Sequence, residues 1–172
     1  MLIVAITVAV FALNRLKFKI IKNHWSRQVY VVGDWHVKTS KSFTEPHILK
    51  TLASCEMCHC DPPRQHFAQV GFEMKVPCLG VVYSMRSCGT SLDHATGFPL
   101  PDDIDDQCEC IFTSMRRAGV RHWDLQPKNV CIGCDGTLAL IDFDDIGLNA
   151  PVPPDAEYHV EYLREMCVKH LG

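Results

Sequence analysis

The sequence predicts an α+β fold with a β-rich amino-terminal half and a mainly helical carboxy-terminal half. Apolar residues alternate with polar ones between residues 16 and 40, which is typical of strands. They recur at helical spacing between residues 104 and 115. Two short apolar runs flank Asp135-Gly136, a dipeptide typical of hairpin turns. The chain has 172 residues, which suits one domain or one small two-lobed unit.

The composition of the chain bears on two questions: whether the protein binds nucleic acid, and whether its cysteines form disulfides. Apolar residues make up 47% of the chain, which is enough for a core, and the formal net charge is -3. Because no basic surface is indicated, we expect no nucleic-acid partner. The chain has ten cysteines, but it is too long and too apolar to need a disulfide framework. We therefore expect free thiols.

The amino-terminal segment, residues 1–15, contains an apolar run from residue 2 to residue 13. This run is shorter than the roughly 18 to 20 residues that a membrane-spanning helix needs. Basic residues follow it: Arg15, Lys17, Lys19 and Lys22. We favour a strand or helix packed on the protein, and the alternative is a short membrane anchor.

Residues 16–86 are predicted to form a small β-rich lobe with one helix. Three strands are expected before residue 40, with a tight turn at Gly33-Asp34. A short helix is expected over residues 43–52, with Pro46 in its first turn. Its buried face is formed by Ile48, Leu49 and Leu52. Two further strands are predicted between residues 66 and 85.

Cysteine and histidine residues concentrate after that helix. Cys55, Cys58 and Cys60 are followed by His59 and His66, and a second Cys-x-x-Cys pair stands at Cys131 and Cys134. Two such pairs can form a zinc site. The distance between the pairs is far from that of a zinc finger, and Cys131 falls in a predicted strand. We therefore expect free thiols rather than a metal site.

Residues 87–172 are predicted to form the mainly helical part. A helix is expected to begin after Asp102 or Asp103, either of which could cap it, and to end at Gly119. Its buried residues are predicted to be Ile104, Cys108, Ile111, Phe112 and Met115. A last helix is expected over residues 155–171. On or near its apolar side are Tyr158, Val160, Tyr162, Leu163, Met166 and Cys167.

The most informative stretch covers residues 119–145, between these two helices. It contains the run His122-Trp123-Asp124-Leu125, then Asn129, the predicted hairpin and finally Asp142-Phe143-Asp144. This order resembles the catalytic and metal loops of the protein-kinase-like superfamily, H-R-D-L-x-x-x-N and D-F-G. The ending is more similar to that of aminoglycoside- and choline-type phosphotransferases. RIO-type and lipopolysaccharide kinases share the compact plan.

The resemblance implies a two-lobed protein-kinase-like fold with a truncated carboxy-terminal lobe, and it implies ATP and Mg²⁺ as cofactors. By position, Asp124 would be the catalytic base, while Asn129 and Asp142 would bind the metal ion. Lys128 would supply positive charge to the transferring phosphate, and the alternative is an ordinary solvated lysine. His122 is expected to be a structural, hydrogen-bonding residue.

The resemblance also assigns roles in the small lobe. Lys38 matches the strand lysine that contacts the nucleotide phosphates, and Glu45 matches its glutamate partner on the helix. The alternatives are a surface lysine at a strand end and an acid favoured by the helix dipole. Met85 to Cys88 would lie in the hinge that holds the adenine.

Two features depart from the family. The turn at residues 22–26 has no glycine-rich phosphate loop, and the helical subdomain that docks peptides is absent. We therefore consider two functions. The first is ATP- and Mg²⁺-dependent phosphoryl transfer to a hydroxyl of an unknown protein or small molecule, in the cytoplasm. The second is a pseudokinase, a nucleotide-binding or scaffolding module without turnover.

Overall fold

The computed structural model describes residues 18–24, 27–40, 43–55, 58–77, 80–122, 124–143 and 156–172. The apolar run 2–13, Trp123 and the segment 144–155 lie outside the described residues. None of the helices in the described ranges is long and apolar enough to cross a membrane. The predicted α+β class is confirmed, because helices are combined with two antiparallel sheets.

The chain divides into two compact units, of which the first comprises Met1–Lys41 and Gly71–Arg86. It holds a five-stranded sheet in the order β1-β2-β3-β5-β4. The strands are β1 (Phe18–His24), β2 (Arg27–Val32), β3 (Trp35–Ser40), β4 (Val70–Val76) and β5 (Gly80–Arg86). The five strands predicted for this region are confirmed, and β1 continues to His24, into the residues predicted as a turn. Strand β5 is buried from Val81 to Met85, as its continuous apolar sequence predicts.

The second unit comprises Ser42–Val70 and Ser87–Gly172. Its three-stranded sheet has the order β6-β7-β8. Its strands and helices are β6 (Thr90–Ser91), β7 (Val130–Ile132), β8 (Leu138–Leu140), α1 (Thr44–Cys55), α2 (Ile104–Ala118) and α3 (Ala156–Leu171). Helix α1 therefore groups with the carboxy-terminal part of the chain. The physical reason is its apolar face, since Ile48, Leu49 and Leu52 are fully buried and the helix packs on α2.

Helix α2 agrees with its predicted bounds and buried face. All five of its predicted core residues are buried. Gly119 ends the helix with a φ of 63°, a left-handed conformation that glycine adopts without steric cost. Asp103 is the residue before the helix, but its side chain makes no capping hydrogen bond. It bonds instead to Arg64 and Gln107.

In helix α3, Leu163, Met166 and Cys167 are buried, and the side chain of Tyr162 is 40% exposed. Tyr162 was predicted on or near the apolar side, and it lies at the margin of the buried face, since successive residues on a helix point about 100° apart. His159 stacks on Phe112 of α2, with ring centroids 5.9 Å apart.

Gln107 fastens helix α2 to the β7–β8 hairpin. Its side chain is fully buried, and its Oε1 atom accepts a hydrogen bond from the Leu138 amide at 2.8 Å. Its Nε2 atom donates to the carbonyl of Gly136 at 3.0 Å and to Asp103 Oδ1 at 2.8 Å. A single amide side chain thereby satisfies one main-chain group in the hairpin turn and one at the start of β8.

Replacing Gln107 with leucine is expected to lower the free energy of unfolding by at least about 1 to 3 kcal/mol. That is the cost of leaving one buried main-chain donor, the Leu138 N–H, without a partner. Urea denaturation of the wild type and of Gln107→Leu measures the loss. The control is Gln69→Leu, because Gln69 is exposed and surface substitutions usually change stability by less than about 0.5 kcal/mol. Equal stability of the two variants would contradict the fastening role.

Candidate functional site

In the loop between α2 and β7, the side chains of Lys128 and Asn129 contact the carboxylate of Asp124. Asn129 Nδ2 donates to the carbonyl of Asp124 at 2.8 Å and to its Oδ2 atom at 3.0 Å. Lys128 Nζ lies 3.2 Å from the same Oδ2. Gln126 donates to the other carboxylate oxygen, Oδ1. The loop thus orients the Asp124 carboxylate from three sides, which is the preorganisation that a positioned base needs.

The side-chain nitrogen of Asn129 is used in hydrogen bonds to Asp124, which leaves its amide oxygen available to bind a cation. The residue ends a 3-10 helix (Pro127–Asn129) and is only 3% exposed. Both of its side-chain hydrogen bonds to Asp124 use the nitrogen. Since an amide offers one acceptor oxygen and one donor nitrogen, the oxygen is the atom that could bind a cation.

The hairpin brings Asp142 back to Asn129. Strands β7 and β8 pair from Val130 opposite Leu140 to Ile132 opposite Leu138. One residue beyond the pair, the Ile141 amide donates to the carbonyl of Asn129 at 3.0 Å. Asp142 is the next residue. The main-chain pairing of the hairpin therefore brings Asn129 and Asp142, the two predicted metal ligands, close together although they are distant in sequence. The predicted strand–turn–strand at residues 130–141 is confirmed.

Asp142 has an unusual backbone conformation. Its φ is 65°, and among the described residues it is the one non-glycine residue with a positive φ. Aspartate enters the left-handed region more easily than most residues, but the conformation still carries an energetic cost that surrounding structure must offset. Such residues concentrate at functional sites. Asp142 is half-buried, so its carboxylate is neither sequestered in the core nor fully solvated.

His122 joins the two loops as a structural residue, which agrees with its predicted role. Its Nε2 atom lies 2.9 Å from the carbonyl of Ile141 and therefore carries the proton. Its ring meets the edge of Phe143, with centroids 4.8 Å apart. Phe143 is fully buried and also contacts Phe67, 6.1 Å away. The residues on both sides of Asp142 are thus held in place.

Burial lowers the pKa of His122. The hydrogen bond to the Ile141 carbonyl and the negative charges of Asp124, Asp142 and Glu45 raise this pKa, but the burial effect is larger. The Nδ1 atom is buried, and no described residue hydrogen bonds to it. A proton added at Nδ1 would therefore be buried without a partner.

Stability is expected to fall with decreasing pH because His122 must stay neutral. An unfolded histidine titrates near about 6.5, and the folded pKa lies lower. Between the two values the unfolded chain binds more protons, so the stabilisation is complete above about pH 6.5 and is lost as the pH falls through the folded pKa. Urea midpoints at two pH values, one on each side of 6.5, measure this loss.

The matched comparison uses His122→Gln and His94→Gln, since the side chain of His94 is 78% exposed. The loss of stability on acidification should be smaller in His122→Gln than in the wild type, and unchanged in His94→Gln. Other buried histidines contribute to the total, so the difference between variants is the informative quantity. An equal loss in all three proteins would contradict the role of His122.

The remaining predicted site residues are divided between the two units. Lys38 is half-buried on β3, opposite Tyr83 of β5, and Met85 is buried on β5 opposite His36. Glu45 is fully buried in the first turn of α1, and Cys88 is half-buried just before β6. The predicted Lys38–Glu45 pairing and the adenine contact from Met85 to Cys88 each join residues of different units, and they stay predictions.

The structure brings together a set of cysteines different from the two Cys-x-x-Cys pairs, for which free thiols were expected. Cys131 is buried in β7 and Cys134 is exposed in the hairpin turn. Instead, four residues place their ligating atoms within 4.8 Å of one another: Cys58, Cys60, His66 and Cys110. We call them the Cys3His cluster. Cys110 reaches the cluster from the middle of α2, so no short spacing in the sequence relates it to the other three residues. The local signal for it is the Cys-x-Cys run at residues 108–110.

The second unit therefore carries three side chains with acceptor oxygens, those of Asp124, Asn129 and Asp142, on two loops. The hydrogen bond from the Ile141 amide to the Asn129 carbonyl joins these loops. Hard oxygen ligands of this type suit Mg²⁺. No protein-family model matches the chain, and no curated protein matches it with statistical significance.

Proposed function

We propose that the chain is an ATP- and Mg²⁺-dependent phosphotransferase of the protein-kinase-like type, which moves the γ-phosphoryl group to a hydroxyl. The observation that carries the proposal is the main-chain hydrogen bond between Ile141 and Asn129. It joins a loop bearing Asp124 to a second loop bearing Asp142. In the resemblance stated above, these positions hold the base and the metal ligands.

In this proposal, each site residue of the second unit has its own role in the reaction. Asp124 accepts the proton of the acceptor hydroxyl while the acceptor oxygen bonds to phosphorus and the bond to the ADP oxygen breaks. Its carboxylate is 39% exposed, so an acceptor can reach it. Asn129 and Asp142 would hold Mg²⁺, which neutralises phosphate charge when bound. The oxygen ligands of both residues fit that ion.

Lys128 supports the proposal through charge. Its ion pair with Asp124 keeps a positive group 3.2 Å from the carboxylate, at a side chain that is 54% exposed. A mobile ammonium at that place can neutralise charge on the transferring phosphoryl group. An exposed pair of this kind adds little to stability. ATP chemistry and free thiols together favour a cytoplasmic location within this proposal.

The alternative is a nucleotide-binding or scaffolding module without turnover. The turn at residues 22–26 favours it, because a backbone without glycine cannot approach phosphates closely. The strained backbone at Asp142 favours the enzyme, because a scaffold gains nothing from that cost.

A measurement of nucleotide binding tests whether these residues form a real site or only match the kinase pattern by chance. At a ligand concentration about a hundredfold above the dissociation constant, binding adds about 2.7 kcal/mol to the free energy of unfolding. The melting temperature of a domain of this size then rises by roughly 5 to 11 °C, at about 2 to 4 °C per kcal/mol. Melts with ATP, with Mg²⁺ and with both measure this. A rise only with both supports the proposal, and no rise at saturating ATP and Mg²⁺ opposes it.

A further inference from the structure

The Cys3His cluster shares no residue with the set assigned to phosphoryl transfer and comes from two parts of the second unit. Cys58, Cys60 and His66 belong to the segment that follows α1, and Cys110 belongs to α2. Cys60, His66 and Cys110 are 4%, 0% and 3% exposed, and Cys58 is half-buried. Three thiols and an imidazole therefore converge on one point that is shielded from solvent.

Three of the six separations between the ligating atoms are close to those of a tetrahedral zinc site, and all six are within 4.8 Å. Zn–S distances of about 2.3 Å and Zn–N distances of about 2.0 to 2.1 Å, at tetrahedral angles, place sulfurs about 3.8 Å apart and sulfur about 3.6 Å from nitrogen. Here Cys60 Sγ and Cys110 Sγ are 3.7 Å apart. His66 Nε2 lies 3.4 Å from Cys58 Sγ and 3.7 Å from Cys60 Sγ.

The imidazole is oriented as a ligand. His66 Nδ1 lies 2.8 Å from the carbonyl of Leu138, so Nδ1 carries the proton and donates. The Nε2 lone pair then points at the thiols. A histidine that ligates a metal through one nitrogen usually donates its other N–H to a carbonyl or carboxylate, which fixes the ring and its tautomer. The His66 carbonyl also accepts from the Leu140 amide at 3.0 Å, so the residue is anchored to β8 at both ends.

Main-chain amides point at two of the sulfurs. The His59 amide donates to Cys110 Sγ at 3.1 Å, and the Arg64 amide donates to Cys58 Sγ at 3.2 Å. Donors of this kind stabilise the negative charge of a coordinated thiolate. The side chain of Arg64 holds the same segment in place, because it pairs with Asp103 at 2.8 Å and donates to the carbonyl of Asp135 at 2.9 Å.

We propose that Cys58, Cys60, His66 and Cys110 bind one zinc ion in a closed structural site. Three sulfurs and one nitrogen fill a tetrahedral shell and leave no position for water or substrate, which is the pattern of structural rather than catalytic zinc. Soft thiolates favour zinc over the hard ion proposed at Asn129 and Asp142. On binding, each of the three thiols loses its proton to solvent, and no electron is transferred.

The consequence of this site is a fixed connection within the second unit. The ion would tie the segment 58–66 to α2 through Cys110 and, through the anchored His66, to β8. Strand β8 leads directly into Ile141 and Asp142. The zinc proposal stands on the geometry of the cluster alone and does not depend on phosphoryl transfer.

The test is the zinc content of the full-length protein, purified under reducing conditions without chelators and measured by elemental mass spectrometry. We expect one zinc per chain, released when the thiols are titrated with a mercurial reagent. A content near zero, or a Cys60–Cys110 disulfide found by mass spectrometry in protein alkylated before purification, would overturn the proposal. Because this measurement uses the wild type, it does not depend on whether a variant folds.

Variants then assign the ligands. Cys110→Ser should lose zinc, whereas Cys134→Ser should keep it, since Cys134 is exposed in the hairpin turn. Cys58→His replaces one ligand by another and is expected to retain the ion. In the cobalt-substituted protein, its thiolate-to-cobalt absorption should fall by about one third, because two of three thiolates remain. Zinc retained in Cys110→Ser but lost in Cys134→Ser, or unchanged cobalt absorption in Cys58→His, would contradict the assignment.

Discussion

Replacing Asp124 with asparagine is expected to lower the rate of phosphoryl transfer by about 10²- to 10⁴-fold, the contribution typical of a positioned general base. Asparagine has nearly the same shape but cannot accept the acceptor's proton. The hydrogen bond from Asn129 to the main-chain carbonyl of residue 124 remains possible, so the loop should keep its conformation. Transfer of radiolabelled γ-phosphate from ATP to the protein or to a mixture of hydroxyl compounds measures the rate.

The control for this prediction is Asp102→Asn, since Asp102 is exposed and precedes α2. It should transfer phosphate at the wild-type rate. The Asp124→Asn variant should also keep the thermal shift with ATP and Mg²⁺, because the proposed metal ligands are intact. A wild-type rate of phosphoryl transfer in Asp124→Asn would show that Asp124 is not the catalytic base. ATP-dependent stabilisation without turnover in the wild type, with every acceptor tried, would favour the scaffolding function.

Replacing Asp142 with asparagine is expected to remove the Mg²⁺-dependent part of the thermal shift, which is roughly 5 to 11 °C for ligand at about a hundredfold its dissociation constant. The substitution removes the charge of one metal ligand. It keeps the backbone, because asparagine tolerates the left-handed conformation as well as aspartate does. The variant without ligand should therefore melt close to the wild type.

Asp102→Asn again serves as the control, and it should show the full shift. A full Mg²⁺-dependent shift in Asp142→Asn would place the cation elsewhere. A lower melting temperature of the unliganded variant would indicate a structural role for the carboxylate.

Local patterns predicted much of the second unit. The bounds of α2 follow from helical spacing before Gly119, and the β7–β8 hairpin follows from two apolar runs around Asp135-Gly136. The return of Asp142 to Asn129 follows in turn, since a hairpin of known length brings its ends together. These features are determined by residues close together in sequence, so the spacing of apolar and turn residues predicts them.

Features set by distant residues were harder to predict. Cys110 meets Cys60, fifty residues away, only because the segment after α1 packs on α2. The grouping of α1 with the second unit and the exposure of Tyr162 are likewise decided by packing. The left-handed backbone of Asp142 could not be read from its residue type, since aspartate adopts it only where surrounding contacts require it.

The most direct test of the central claim is nuclear magnetic resonance with Mn²⁺–ATP in place of Mg²⁺–ATP. Manganese shares the preference of magnesium for oxygen ligands, and its unpaired electrons broaden the signals of nearby nuclei. If Asn129 and Asp142 hold the metal ion of the nucleotide complex, the side-chain amide of Asn129 and the main-chain amides of Ile141 and Asp142 should be broadened by Mn²⁺–ATP and not by Mg²⁺–ATP. Sharp signals from these groups at saturating Mn²⁺–ATP would contradict the account.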